Sequence, residues 1–136
     1  MEWGYFTPGT LQAGYALGMA ASSVNSLRPR LRVLHGEEIA LGPGKADLLA
    51  AVERAGTLAE AAKLLGMSYM RAWKLLRTMN ACFKEPLVAT ARGGSEHGHA
   101  SLTETGRAVL ALYRRMEEEA RQAVEPAWRE LEGYLA

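Results

Sequence analysis

The chain has 136 residues, of which 49% are hydrophobic and 23% charged, with a formal net charge of +1 and one cysteine. This length is enough for one domain with a buried core, and one cysteine excludes both an internal disulfide and a metal site built from cysteines. No apolar run approaches the ~20 residues of a membrane-spanning helix, and no Lys or Arg of a secretory signal precedes Arg28. We therefore predict a cytoplasmic protein.

The charges are distributed unevenly along the chain. Residues 28–115 hold 14 Lys and Arg against 8 Asp and Glu, and the remainder holds 2 Arg against 7 Glu. A basic region beside an acidic segment indicates an anionic partner bound at one face. Solvated surface charge is the alternative, and composition alone leaves it open.

The first segment, residues 1–27, is poor in charge and rich in Gly, Ala and Ser, which predicts an arm with at most a short helix over 11–21. Apolar and polar residues then alternate from Leu31 to Leu41 on both sides of Gly36. This alternation around a glycine is typical of a β-hairpin.

Three helices are predicted next. The first is expected over 45–55, and Thr57 is expected to cap the second in a capping box with Glu60. This short, alanine-rich helix ends at Gly66, and Ser68 caps the third helix. Two helices joined by a glycine turn are the helix-turn-helix pattern.

The third helix, expected over 69–83, divides into two faces on a helical wheel. The core face is predicted to comprise Tyr69, Ala72, Leu75, Leu76, Met79 and Phe83. The outer face is predicted to comprise Met70, Arg71, Lys74, Arg77, Thr78 and Ala81. A recognition helix in the major groove needs cations toward phosphates and donors toward base edges. An ordinary solvated amphipathic helix is the alternative, and the preceding helix and tight turn favour the recognition helix.

The residues over 87–102 change to an extended pattern, which predicts a β-hairpin, or wing, with a loose glycine-rich tip over 93–98. At the edge of this tip, Arg92 is placed to reach a phosphate or the minor groove. Gly93 and Gly94 allow backbone N–H groups to approach the DNA backbone.

Catalysis has little support in the sequence. His97 and His99 lie in the glycine-rich tip, where an exposed polar loop is a far commoner role than a metal site. Asp47 and Glu53 are interpreted as ordinary charges of one helix and not as an acid–base pair. We therefore predict that the protein is not an enzyme and needs no cofactor and no metal.

A long last helix is predicted after a cap at Ser101 or Thr103, with an interruption at Pro126. Gly106 lies in its first turns and is expected where helices pack closely. The helix carries more apolar side chains than one small domain can cover, so we predict pairing with a second copy of the chain. The side chains in question include Leu112, Tyr113, Met116, Trp128, Leu131 and Leu135.

The segment GTLAEAAKLLGMSYMRAWKLLRTMN, followed by PLVATARGG and LTETGRAVLALYRRME, resembles the N-terminal DNA-binding domain of the molybdate-responsive repressor family, ModE. More distantly it resembles the DNA-binding domain of LysR-type regulators. The resemblance covers about residues 30–117. It implies a mainly α fold with a small β component, a winged helix-turn-helix that binds a palindromic operator as a homodimer.

These observations predict three regions, namely an arm over 1–27, a winged helix-turn-helix over 28–102 and a helical dimerisation segment over 103–136. The predicted function is sequence-specific binding of double-stranded DNA by a transcriptional regulator. The predicted contacts are Ser68, Tyr69, Met70, Arg71, Lys74, Arg77 and Thr78 on the recognition helix, and Arg92, Gly93 and Gly94 on the wing.

Two further expectations follow from the resemblance. Members of the family carry two β-rich oxyanion-binding modules after this domain, and no strand-rich segment follows Leu112 here, so molybdate binding is not expected. The alternative function is that of a dimeric winged-helix module that binds a partner protein and not DNA. The segregation of Arg71, Lys74 and Arg77 from acidic residues favours DNA.

Overall fold

The computed structural model describes residues 24–93 and 96–136, so most of the predicted arm lies outside the described residues. Within them the chain forms four helices and two antiparallel two-stranded sheets, which confirms the predicted winged helix-turn-helix. The elements are β1 Val33–His35, β2 Glu38–Leu41, α1 Pro43–Ala55, α2 Leu58–Leu65, α3 Tyr69–Cys82, β3 Val88–Gly93, β4 Glu96–Leu102 and α4 Glu104–Glu132. None of the described helices has both the length and the apolar character needed to cross a membrane.

The first hairpin and α1 follow from local sequence signals. Gly36 takes a φ of 64° at the turn between β1 and β2, as predicted. Helix α1 begins at Pro43, earlier than the predicted 45, because proline lacks an N–H that the first helical turn leaves unbonded anyway. The helix ends as predicted at Gly56, which has a φ of 81° and donates its N–H to Val52 O at 3.0 Å.

The helix-turn-helix is built from α2 and α3. Thr57 Oγ1 accepts a hydrogen bond from Glu60 N at 3.1 Å, whereas the Glu60 carboxylate lies 3.6 Å from Lys63 Nζ. At the turn, Gly66 takes a φ of 68°, which only glycine adopts without strain. Ser68 Oγ then accepts from Arg71 N at 3.1 Å and caps α3. These contacts confirm the two predicted caps and the predicted turn.

A single hydrophobic core joins all four helices and the wing. Small residues of α2 and α3 allow the two helices to pack closely against α1. The largest buried apolar side chains of this core are Leu48, Leu49, Val52, Met79, Leu87 and Tyr113.

The N-terminal part of α4 is attached to the base of the wing. Thr103 Oγ1 accepts from Gly106 N at 2.9 Å and caps the helix. A Cβ at Gly106 would lie 2.1 Å from Leu87 O. This glycine was predicted to let two helices pack closely, but it allows α4 to approach the backbone that precedes β3. Tyr113 was predicted to be one of the side chains that a single domain leaves uncovered, but this is wrong, because it is buried in the core and donates its hydroxyl to Leu31 O at 2.7 Å.

The predicted interruption at Pro126 is wrong, because α4 continues through this residue to Glu132. The surrounding part of α4 is exposed, so water can bond to the carbonyl of Gln122, which lacks a donor at Pro126. Arg129 Nε also bonds Glu125 Oε2 at 2.6 Å across the proline. A proline in an exposed helix therefore costs hydrogen bonding without ending the helix.

Asp47 is not the ordinary helix charge that was predicted. Its side chain is 1% exposed, and Arg114 Nη2 of α4 donates to its Oδ1 at 3.0 Å. Arg114 Nη1 also bonds Glu117 Oε1 at 3.0 Å. Burial raises the pKa of the Asp47 carboxyl to about 7, although the hydrogen bond and the charge of Arg114 oppose this shift. This buried ionic contact joins α1 to α4.

Candidate nucleic-acid interface

Helix α3 turns one face to the core and the opposite face to solvent. Ala72, Leu76 and Met79 are buried in the core. On the opposite side, at positions i, i+4, i+7 and i+11, α3 presents an exposed line of side chains. We call this set the outer line of α3, and its members are Met70, Lys74, Arg77 and Ala81.

Two residues lie differently from the prediction. Tyr69 was assigned to the core face of the third helix, yet it is 52% exposed. It is the first residue of α3 and borders a groove beside the wing, so the core packed beneath the later turns does not cover it. Thr78 was assigned to the exposed outer face, but it is half-buried and lines a shallow cleft together with Glu38.

The cations of α3 lie in an environment without acidic partners on their own helix. Arg71, Lys74 and Arg77 are all exposed. Lys74 and Arg77 form no ion pair with any residue in the part of the chain that the structure describes, although Glu38 lines the same cleft of about 440 Å³. Within the described residues, the positive charges of Lys74 and Arg77 are therefore not held in an ion pair.

The wing lies beside α3, and its strands extend into the tip predicted over 93–98. Strand β4 begins at Glu96 and pairs with β3 up to Gly93, with a register shift between Ala91 and Gly93. Gly98 has a φ of 50°, and a Cβ there would lie 3.0 Å from Ala91 O, which explains why glycine fits inside the strand. The rest of the predicted tip, residues 94–95, lies outside the described residues.

The predicted wing contacts are only partly described. Gly93 ends β3, whereas Gly94 and the side chain of Arg92 lie outside the described residues. The same holds for the side chain of His97, while His99 is exposed on β4. Among the described residues, no group of three or more His, Cys, Asp or Glu side chains could hold a metal ion.

Asn80 bonds the start of the wing to α3, and no pattern in the sequence indicated this role. Its Oδ1 accepts hydrogen bonds from Leu87 N at 2.9 Å and Val88 N at 3.3 Å, and its Nδ2 donates to Val88 O at 3.2 Å. On the other strand, Ala100 N donates to Gly56 O at 2.9 Å. The start of β3 and the end of β4 are thus each bonded to the helical body.

An apolar groove of about 640 Å³ separates α3 from the wing. The helix contributes Tyr69, Met70 and Trp73 to its walls, and the wing contributes Thr90, Ala91 and His99. Cations line the outer part of α3, and an apolar surface lies on the side next to the wing. This arrangement provides both positive charge and apolar contact area on one side of the molecule.

Comparison with known proteins gives relatives for a part of the chain. It is 41% identical over 86 residues to the molybdenum transport protein ModE of Azotobacter vinelandii, which is 63% of this chain and 32% of that protein. It is 44% identical to the molybdenum-pterin-binding protein MopA of Rhodobacter capsulatus, and 35% identical to the DNA-binding transcriptional dual regulator ModE of Escherichia coli K12. Each of these two matches covers 71 residues, 52% of this chain and 27% of the relative. This chain is similar to ModE and Mop proteins.

The similarity to ModE confirms the resemblance found in the sequence, and the chain spans about a third or less of the length of these ModE and Mop relatives. No protein-family model matches the chain. Among solved structures, the complex of the CbnR DNA-binding domain with DNA matches with a TM-score of 0.51 and 25% identity, over 64% of this chain and 94% of that one. The fold is therefore that of a DNA-binding domain.

Proposed function

We propose that the protein is a sequence-specific regulator of transcription that binds double-stranded DNA. The observation that carries this proposal is the outer line of α3, whose two cations lack carboxylate partners in residues 24–93 and 96–136 and stand beside a wing. A helix that turns such a face outward suits the major groove, and an adjacent hairpin suits the backbone or the minor groove. The names of the ModE relatives and the CbnR complex support DNA as the partner.

The proposed contacts are divided between two elements. On α3 the first turn is expected to meet base edges, and the later cations are expected to meet phosphates. On the wing the contact is expected at phosphates or the minor groove. The residues assigned to these contacts are Ser68, Tyr69, Met70, Arg71, Lys74, Arg77 and Thr78 on α3 and Arg92, Gly93 and Gly94 on the wing.

We further propose that the functional unit is a homodimer formed through α4. Helix α4 and the residues after it expose several large apolar side chains, which we call the apolar stripe of α4, namely Leu112, Met116, Val124, Leu131 and Leu135. A second copy that covers this stripe removes apolar surface from water. Two copies related by a two-fold axis can place their recognition helices in successive major grooves, ~34 Å apart. Light scattering at micromolar concentration tests this, and a monomeric mass would contradict it.

We also expect the protein to act in the cytoplasm, where a regulator of transcription meets its DNA, and to have no catalytic role. The names of the regulators among its relatives support binding over catalysis, and they do not favour a purely protein-binding winged helix. Molybdate is not expected to bind this chain, and calorimetry that shows a tight complex would overturn that expectation.

The experiment that tests DNA binding is selection of a site from random duplexes, followed by titration of that site and a scrambled one at several salt concentrations. If a dimer neutralises ~8 phosphates, the logarithm of affinity falls with the logarithm of salt concentration with a slope of about −7. Absence of binding at low salt, or an affinity that salt does not change, would overturn the proposal.

A further inference from the structure

The first turn of α3 exposes two large apolar side chains. Tyr69 is 52% exposed and Met70 is 59% exposed, and neither belongs to the hydrophobic core. Both line the apolar groove between α3 and the wing. Binding of a partner that covers these large apolar groups is favourable, because it removes apolar surface from water.

The position of these two side chains on α3 identifies that partner. Met70 is the first member of the outer line, and Lys74 and Arg77 follow it on the same face. The two cations are complementary to phosphates, so a partner that covers this face carries negative charge next to an apolar group. Duplex DNA has this combination in its major groove, where the 5-methyl group of thymine is the apolar group presented among hydrogen-bonding groups.

We propose that Met70, with Tyr69 beside it, recognises the 5-methyl group of thymine at the base edges that the first turn of α3 meets. This inference rests on the proposed DNA-binding function and adds the base that the site selects. The thioether of Met70 is flexible and polarisable, which suits close contact with a methyl group. Tyr69 and Trp73 close the side of the contact that faces the wing.

Replacement of thymine by deoxyuridine tests the inference directly, because deoxyuridine lacks the methyl group and keeps every hydrogen-bonding group. Each thymine of the selected site is replaced in turn, and the Kd is measured by fluorescence anisotropy at a fixed salt concentration. At one or more positions we expect about fourfold weaker binding, which corresponds to the burial of one methyl group. Met70→Ala is expected to bind the thymine and deoxyuridine sites equally at those positions.

A control variant separates this effect from general damage. Leu34→Ala removes a side chain that is 62% exposed on β1 and lines neither the groove beside the wing nor the cleft of Lys74 and Arg77, so it is expected to keep the preference for thymine. Met70 and Leu34 are both exposed, so the thermal midpoint of each variant is expected to match that of the wild type.

The possible outcomes distinguish this inference from the function on which it rests. If deoxyuridine has no effect at any position while binding to the selected site remains salt-dependent, the inference is wrong and DNA binding stands. A Met70→Ala variant that keeps the full preference for thymine, or a selected site without thymine, also overturns the inference. If no duplex binds at all, the proposed function itself is overturned.

Discussion

Helices α3 and α4 are both amphipathic and both rich in basic residues, but they differ in how many of these residues form ion pairs. Most arginines of α4 lie within 3.2 Å of a glutamate of the same helix, in the pairs Arg114–Glu117, Arg115–Glu119, Arg121–Glu118 and Arg129–Glu125. On α3, by contrast, Lys74 and Arg77 have no ion-pair partner among the described residues 24–93 and 96–136.

This difference separates the two roles that a basic residue can have on a helix. Exposed ion pairs along α4 largely cancel each other's field and add little stability. Cations without such partners leave a positive potential that attracts an anion from solution. This difference supports the proposals that α3 binds an anion and that the apolar stripe of α4 contacts a second copy.

Truncation of an apolar side chain is expected to have different effects in the buried face of α3 and in the exposed stripe of α4. Leu76→Ala, in the buried face of α3, is expected to lower the free energy of unfolding by roughly 2–5 kcal/mol, because it removes buried apolar contacts and leaves a cavity. Leu112→Ala, in the exposed stripe of α4, is expected to weaken dimerisation with little effect on the folded subunit. Urea unfolding at two protein concentrations measures both effects, and equal losses for both variants would contradict the division between core and stripe.

The contact between α1 and α4 makes stability depend on pH. The pKa of the Asp47 carboxyl is about 7 in the folded protein, above its ordinary value of 3.8. The stability that the Asp47 carboxyl contributes to the folded state is therefore fully present below about pH 4 and is lost as pH rises through about 7. The side chain of Asp47→Asn cannot ionise. The free energy of unfolding of this variant, relative to that of the wild type, is therefore expected to rise by up to about 4 kcal/mol between pH 4 and 8. Urea unfolding of both proteins across this range measures the gain, and a constant difference would contradict it.

On the outer side of α3, Arg71 tests whether the first turn reads base edges. Arg71→Ala is expected to cost about 1–3 kcal/mol of binding free energy on the selected site, and to reduce the preference over the scrambled site. Titration of both sites measures this change. Equal losses on the two sites would place Arg71 at the phosphates and not at the bases.

Lys74 and Arg115 test whether ion pairing decides which cations bind DNA. Lys74→Ala is expected to reduce the salt slope of DNA binding by about one, because one phosphate contact is lost. Arg115→Ala removes an exposed cation that is already paired with Glu119 on α4, and is expected to leave the slope unchanged. Identical slopes for the two variants would mean that ion pairing does not decide which cations bind DNA.

The parts of this fold that depend on neighbouring residues were predictable from the sequence. The caps at Thr57 and Ser68 and the turn at Gly66 depend on a few adjacent positions, and all three were predicted. The contact of Arg114 with Asp47 joins residues 67 positions apart, so no local pattern could predict it. Tyr69 was placed wrongly for a related reason, since helical periodicity does not tell which turns of a helix have an element packed above them.

In the candidate site, the sequence predicted the members of the outer line of α3 but not the geometry that holds the wing beside them. The outer line follows from the helical period and the distribution of charge. Asn80 bonds Leu87 and Val88 because the loop after α3 brings these residues back to the helix. The path of that loop cannot be predicted from a polar residue at position 80. The predicted contacts to DNA on both elements remain predictions.

In the proposed complex with DNA, the hydrogen bonds of Asn80 to Leu87 and Val88 would make α3 and the wing a single bidentate ligand for a duplex. Once α3 has docked, the wing is held at a fixed distance from its own target, and its encounter with the DNA becomes intramolecular. The effective concentration of the second contact is then set by the protein's own geometry, with little additional loss of freedom on binding. Loss of Asn80 would turn this chelate into two weakly linked contacts, and each would bind its groove largely on its own.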